Sequence, residues 1–235
     1  MKDRYLRLLA IMLLVATIIN TTGEYVVGKM ATDRSATYAA EQAALPAAAA
    51  LGPDARAIAA HDAQDQFIGT FYSNYYTVVN LLSALLQALV VAWLLTRLGI
   101  RRSLFVMPLV VLAGWFGLLL FANLTMVRIE KTSENSLDYS LHNTLRQALF
   151  LPTTRAAKYK AKAAIDTYFF RMGDVIAGLG IVGLFVEVFH LGVHAFAIMN
   201  VILAAVWILL AFRAGRLHDE LANKHPEREG EAKAV

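Results

Sequence analysis

Apolar residues along this chain gather into long runs separated by short polar stretches, and the lengths of the runs set the elements. About 20 consecutive, mostly apolar residues are what a helix needs to cross the ~30 Å hydrocarbon layer of a membrane. The first run lies within residues 1–30. It is nearly unbroken from Leu8 to Ile19 and passes through Asn20-Thr21-Thr22-Gly23-Glu24 into Tyr25-Val26-Val27. Its charged start followed by leucines resembles a signal peptide, but no small-residue cleavage site succeeds it, so it is read as a span. Further runs predict spans over 67–98, 103–124, 167–190 and 195–212. Segment 127–151 has a helical pattern but is polar along one side. Only Leu191–His194 separates the last two spans, which makes them antiparallel neighbours. Residues 31–66 are Ala-rich and carry Pro46 and Gly52-Pro53, the signs of a long loop with room for a short helix, and 213–235 reads as a charged tail. The pattern as a whole predicts an all-α membrane protein with six transmembrane helices in a single membrane domain.

Composition reinforces this reading. Of 235 residues 58% are hydrophobic and 17% charged, against the roughly 25% charged residues of a soluble domain. The absence of cysteine excludes disulfide frameworks, thiolate metal sites and cysteine nucleophiles. The net charge of +4 matters less than its placement. With six spans, both termini, the 97–102 loop and the basic 155–162 stretch share one side and hold most of the 22 lysines and arginines. The other side has Lys29, Arg34, Arg56, Arg128 and Lys131. The positive-inside rule makes the richer side cytoplasmic, so both termini are cytoplasmic and 31–66 lies across the membrane; the expected setting of this multi-pass protein is a bacterial inner (plasma) membrane, with 31–66 periplasmic. Without a span at 127–151 the 155–162 stretch would fall on the wrong side. Basic residues spread over short loops rather than one face argue against a nucleic-acid partner.

Polar residues at membrane depth are unevenly shared among the six segments. They occur in the first (Asn20, Glu24), second (Asn80, Gln87), fourth (Asp138, His142, Asn143, Arg146, Gln147) and fifth (Arg171, Asp174, Glu187), while the third is apolar and the sixth carries only Asn200. Such groups are costly in hydrocarbon and must face one another or a water-filled cavity. In the fourth segment Lys131, Asn135, Asp138, His142 and Arg146 succeed one another at intervals of 4, 3, 4 and 4, one stripe of a helix. This stripe is either a structural polar seam between packed helices or a face lining a solute pathway. A buried arginine suits bidentate contact with carboxylate or phosphate. Tyr72, Tyr75 and Tyr76 read as an interfacial aromatic belt or, alternatively, a surface for stacking a base. No serine–histidine–acid set, phosphate loop or metal cluster is visible, so no enzyme activity, cofactor or metal is expected.

The six-span block resembles half of a major facilitator superfamily transporter, in which each half has six helices. The loop Thr96-Arg97-Leu98-Gly99-Ile100-Arg101-Arg102 is similar to the basic, glycine-containing loop joining the second and third helices of each half. Three stretches together resemble the second half of the nucleotide transporter (ATP/ADP translocase) family of plastids and intracellular bacteria. They are Asn20-Thr21-Thr22-Gly23-Glu24-Tyr25; Phe67-Ile68-Gly69-Thr70-Phe71-Tyr72 running on to Asn80 and Gln87; and Glu134-Asn135-Ser136-Leu137-Asp138-Tyr139-Ser140 running through Asn143–Pro152, Ala157–Ala163 and Arg171–Asp174. The resemblance implies exchange or uptake of nucleotides by alternating access, and it implies transport roles for Glu24 and for the lysines at 158, 160 and 162. Together with the polar positions it gives the candidate substrate or translocation residues Glu24, Asn80, Gln87, Asp138, His142, Asn143, Arg146, Gln147, Lys158, Lys160 and Lys162. The implied partners are ATP, ADP or another anionic solute, the lipid bilayer, and a second six-helix half, as a separate chain or a second copy. The rival expectation is a split or degenerate half acting as a membrane scaffold or subunit without transport of its own.

Overall fold

The computed structural model describes residues 2–153, 159 and 162–224, and every regular element among them is a helix. Helix α1, Lys2–Ala43, runs unbroken for 42 residues. At 1.5 Å per residue that is roughly 63 Å, twice the hydrocarbon thickness, so its C-terminal part projects beyond any membrane it crosses.

The Ala-rich stretch 31–66 is therefore helical over most of its length, where a loop was expected. Alanine is the strongest helix former, and Pro46 and Pro53 stand in the first turns of α2 (Pro46–Ala49) and α3 (Pro53–Ser103), where a missing N–H costs nothing. Breaks are confined to the few residues between these helices. The projecting ends of α1 and α3 pack as a hairpin with Tyr38 against Phe67 at 5.5 Å. Its exterior carries the pairs Lys29–Asp33 (3.1 Å), Arg34–Glu41 (2.9 Å) and His61–Asp65 (3.3 Å).

Helix α3 is interrupted near its end by Gly99, whose φ of 71° is left-handed and open to glycine without a Cβ penalty. This turn delivers the chain to α4, Val106–Leu120. Asn123 caps α5 by accepting a hydrogen bond from the backbone N–H of Met126. α5 covers 124–148 and contains a π-helical turn, Asp138–His142. α6, Lys162–Val188, includes three π-helical segments, and α7, Val193–Lys224, closes the order.

Four of these helices, α1, α3, α6 and α7, are long and apolar enough to cross a membrane, and the protein is an all-helical, membrane-embedded chain. α4 is apolar but short: its 15 residues span about 22 Å. α5 is long enough but polar. α1 sits in the middle, touching α3, α5, α6 and α7, while α4 packs on α7 and α5. The core between them holds Ile19, Val26, Val111, Trp115, Leu118 and Trp207, all essentially inaccessible. Cover is uneven. The most apolar stretch of α1 is 61% buried, whereas that of α3 is 22% and that of α6 12%. The apolar stretches of α3 and α6 thus each largely lack a protein neighbour.

Candidate functional site

Polar side chains of α1, α3 and α5 meet inside the bundle around Lys131, a lysine with no exposed surface. Its Nζ lies 2.8 Å from Glu134 Oε2, one turn along α5, and 3.4 Å from Glu24 Oε1 of α1. It also donates to the backbone carbonyl of Asn20 at 3.3 Å. Asn135 knits the set together. Its Nδ2 donates to Glu24 Oε1 and to Tyr75 OH, both at 2.8 Å, and its Oδ1 accepts from Asn20 Nδ2 at 3.1 Å. Asn20 Nδ2 also reaches Glu134 Oε1 at 3.4 Å. The ammonium group thus has two hydrogen bonds and a second carboxylate within ion-pair distance, the company a buried charge requires. The distribution of charge along the sequence puts Lys131 with the outer loops. The structure instead buries it, because i, i+3 spacing supplies Glu134 and α1 supplies Glu24. Glu24 keeps 35% of its side chain accessible and, with the partly buried Asn20, forms the open end of the network, while Lys131, Glu134, Asn135 and Tyr75 are buried.

Two glycines make room for these side chains. A Cβ on Gly23 would stand 2.8 Å from Lys131 Cδ and 3.2 Å from the Trp115 ring, and one on Gly114 would overlap Glu130 Cγ. Glu130 is the network's unsettled member. It is buried beside Glu134, and neither of its carboxyl oxygens accepts a hydrogen bond from a donor. Two acidic groups four residues apart on one helix face repel or must share a donor. Glutamine at 130 keeps the shape and brings two N–H donors to Glu134. Glu130→Gln is therefore expected to raise stability by about 1–2 kcal/mol, measured as a higher melting temperature in detergent; a lower one would contradict this account.

The stripe Lys131–Asn135–Asp138–His142–Arg146 does not run on as one face. Its π-helical turn, Asp138–His142, packs against a second π-helical turn, Leu86–Val91 of α3. A π turn adds about one residue to the register and rotates the remainder of the helix by roughly 100°. Lys131 and Asn135 consequently face α1 and α3, while His142 is buried with its ring edge-on to Trp207 of α7, centroids 5.7 Å apart. Asp138 and Arg146 are partly buried. Asn143 and Gln147 are exposed, as are Asn80 and Gln87 of α3. Thr144 Oγ1 donates to Gln87 Oε1 at 3.4 Å, and Lys162 Nζ donates to Gln147 Oε1. Asn80, Gln87, Asn143 and Gln147 thus lie at the surface of the bundle, with Lys162 joined to Gln147, apart from Glu24. Lys158 and Lys160 lie outside the described residues.

Other polar positions at depth are tied to neighbours. Thr21 donates to Asp174 at 2.9 Å and Thr22 to Asn200 at 3.1 Å, fixing α1 to α6 and α7. Arg171 approaches Asp174 at 3.9 Å from a largely exposed position. Tyr75 departs from the aromatic-belt expectation: it is fully buried and hydrogen-bonded to Asn135, between Phe71 and Tyr76, while Tyr76 remains exposed. Glu130, Glu134 and Tyr75 are absent from the path residues that the sequence suggests. The signal for them was a Glu130–Glu134 pair beside Lys131 in a segment already assigned to the membrane.

Compared with protein-family models, curated proteins and solved structures, the chain matches none.

Proposed function

We propose that this chain is one six-helix half of a secondary transporter of the major facilitator type, moving nucleotides or related anionic solutes by alternating access across a bacterial inner membrane. The observation that carries the reading is the exposed polar surface made by Asn80 and Gln87 of α3 and by Asn143 and Gln147 of α5, the last joined to Lys162 of α6, in the same bundle as the Lys131 network. Polar side chains at membrane depth are stable only against protein or water. A second six-helix half, or a second copy of the chain, would cover that face and enclose a wet path. Substrate phosphates would be met by Lys162 and Arg146, with Arg171 nearby in sequence on α6, and Asp138 would balance charge when the site is empty. Lys131 is committed to its carboxylates and serves to hold α1 on α5 rather than to meet solute.

The test is uptake of labelled ATP and ADP into cells or proteoliposomes containing the chain. Replacing Arg146 and Lys162 together by alanine is expected to lower uptake at least ~10-fold, the loss of one charge-assisted contact or more. Unchanged uptake in the double variant would remove these residues from the path. The sparse cover of α6 also favours a second reading, in which the chain is a subunit that works only beside a partner. Absence of uptake by the chain alone, with recovery on co-expression of a second half, distinguishes that case.

A further inference from the structure

We infer that the groove between the start of α1 and the end of α7 binds the headgroup of an anionic phospholipid. This groove lies apart from the Lys131 network, and the inference holds whether or not the chain transports nucleotides. Arg4 of α1 and Arg213 and Arg216 of α7 line a cavity of about 520 Å³, a volume suited to a small ligand. Its floor is apolar, with Leu8, Phe212 and Leu217, and among the described residues Glu220 is the acidic one in its wall.

Among the described residues none of the three arginines forms an ion pair, although acidic groups stand close by. The contrast is Arg101, which at the same end pairs with Asp219 at 3.2 Å. Arg216 lies over the Phe212 ring at 5.8 Å and Arg101 over the same ring at 5.9 Å, so that ring marks the boundary between basic rim and apolar floor. Three guanidinium groups around one groove repel each other, and an anion placed between them removes that repulsion. Guanidinium also pairs with phosphate through two parallel hydrogen bonds.

The surroundings select a lipid over a soluble phosphate. Above the groove the exposed surface is apolar on both helices. Leu8 is succeeded on α1 by Ile11, 47% exposed, and Phe212, 45% exposed, has Leu209, 64% exposed, one turn earlier on α7. These two apolar tracks lead away from the arginines in the direction acyl chains would take. A soluble anion has no use for them. Basic pockets between membrane helices with this layout recognise acidic lipid headgroups.

The protein purified in a neutral detergent provides the test. Phosphatidylglycerol is expected to raise its melting temperature by about 5 °C, the size expected for a ligand well above its Kd, and to remain attached in native mass spectra. Phosphatidylcholine is expected to do neither. The combined Arg4→Gln, Arg213→Gln and Arg216→Gln variant should lose the phosphatidylglycerol shift while melting like the parent in phosphatidylcholine. If that variant is not folded, each single Arg→Gln variant should lose part of the shift. An equal shift from phosphatidylcholine, an equal shift from inorganic phosphate alone, or a full phosphatidylglycerol shift in the variants would each overturn the inference.

Discussion

Lys131→Met should cost the folded chain about 3–5 kcal/mol, the usual result of removing one partner from a buried ion pair. Methionine fills nearly the same volume, so the loss is not one of packing. It arises because Glu134, with its side chain only 1% exposed, loses the ammonium group 2.8 Å from Oε2, and Glu24 loses the one 3.4 Å from Oε1. Glu24 is partly accessible and water can replace some of what it loses; Glu134 has no such recourse. A second substitution separates charge from shape. Glu134→Gln on the Lys131→Met background removes the stranded carboxylate and should restore more than half of the loss. Thermal melts tracked by loss of helical circular dichroism, run as a double-mutant cycle, give the coupling directly. A single variant within ~1 kcal/mol of the parent would mean that the network does not hold α1 on α5.

The sequence pattern reached the helices further than it reached the network. Apolar runs marked the helices now seen as α1, α3, α4, α6 and α7, because burial in lipid or core leaves the same run of large apolar residues. Stretch 31–66 misled for a physical reason: alanine is weakly apolar and neither proline nor glycine declares whether it starts a helix or breaks one. The stripe from Lys131 to Arg146 was correct in period but not in direction. Hydrophobic periodicity assumes 3.6 residues per turn throughout, and the π-helical turn at Asp138–His142 shifts the phase in the middle. Glu24 was legible as a polar residue at depth. Its partnership with Lys131 and Asn135 was not, since those lie more than 100 residues away and only helix packing joins them.

That packing also explains why the interior charge and the exposed surface belong to one design. Asn20 and Glu24 face α5, while Thr21 faces Asp174 of α6 and Thr22 faces Asn200 of α7. Consecutive positions of α1 thus spend their polar groups on three different neighbours, which makes α1 the post of the bundle. Of the helices packed on that post, α3 and α6 turn their most apolar stretches largely outward. If a partner rocks against this chain, α1 and its network are the part expected to stay fixed.

Gly114→Ala should destabilise the chain by about 2–4 kcal/mol, although in an ordinary helix interior the same change gains up to ~1 kcal/mol from propensity. The sign is set by Glu130. A Cβ at position 114 would overlap Glu130 Cγ and stand 3.1 Å from Glu130 Cβ. The far end of a flexible side chain could swing clear, but Cβ and Cγ are the stem, held by α5 itself, so α4 and α5 would have to part. Separation would also loosen Trp115, which is fully buried next to Gly114 and touches the space kept by Gly23. Glu130→Ala on the Gly114→Ala background removes the obstructing stem. There the alanine at 114 should become neutral or favourable. Melting temperatures of the two single variants and the double variant decide the matter. A stabilising Gly114→Ala in the parent, or an equal penalty with and without Glu130, would show that the α4–α5 contact is looser than these distances and that glycine at 114 is not there to admit the carboxyl.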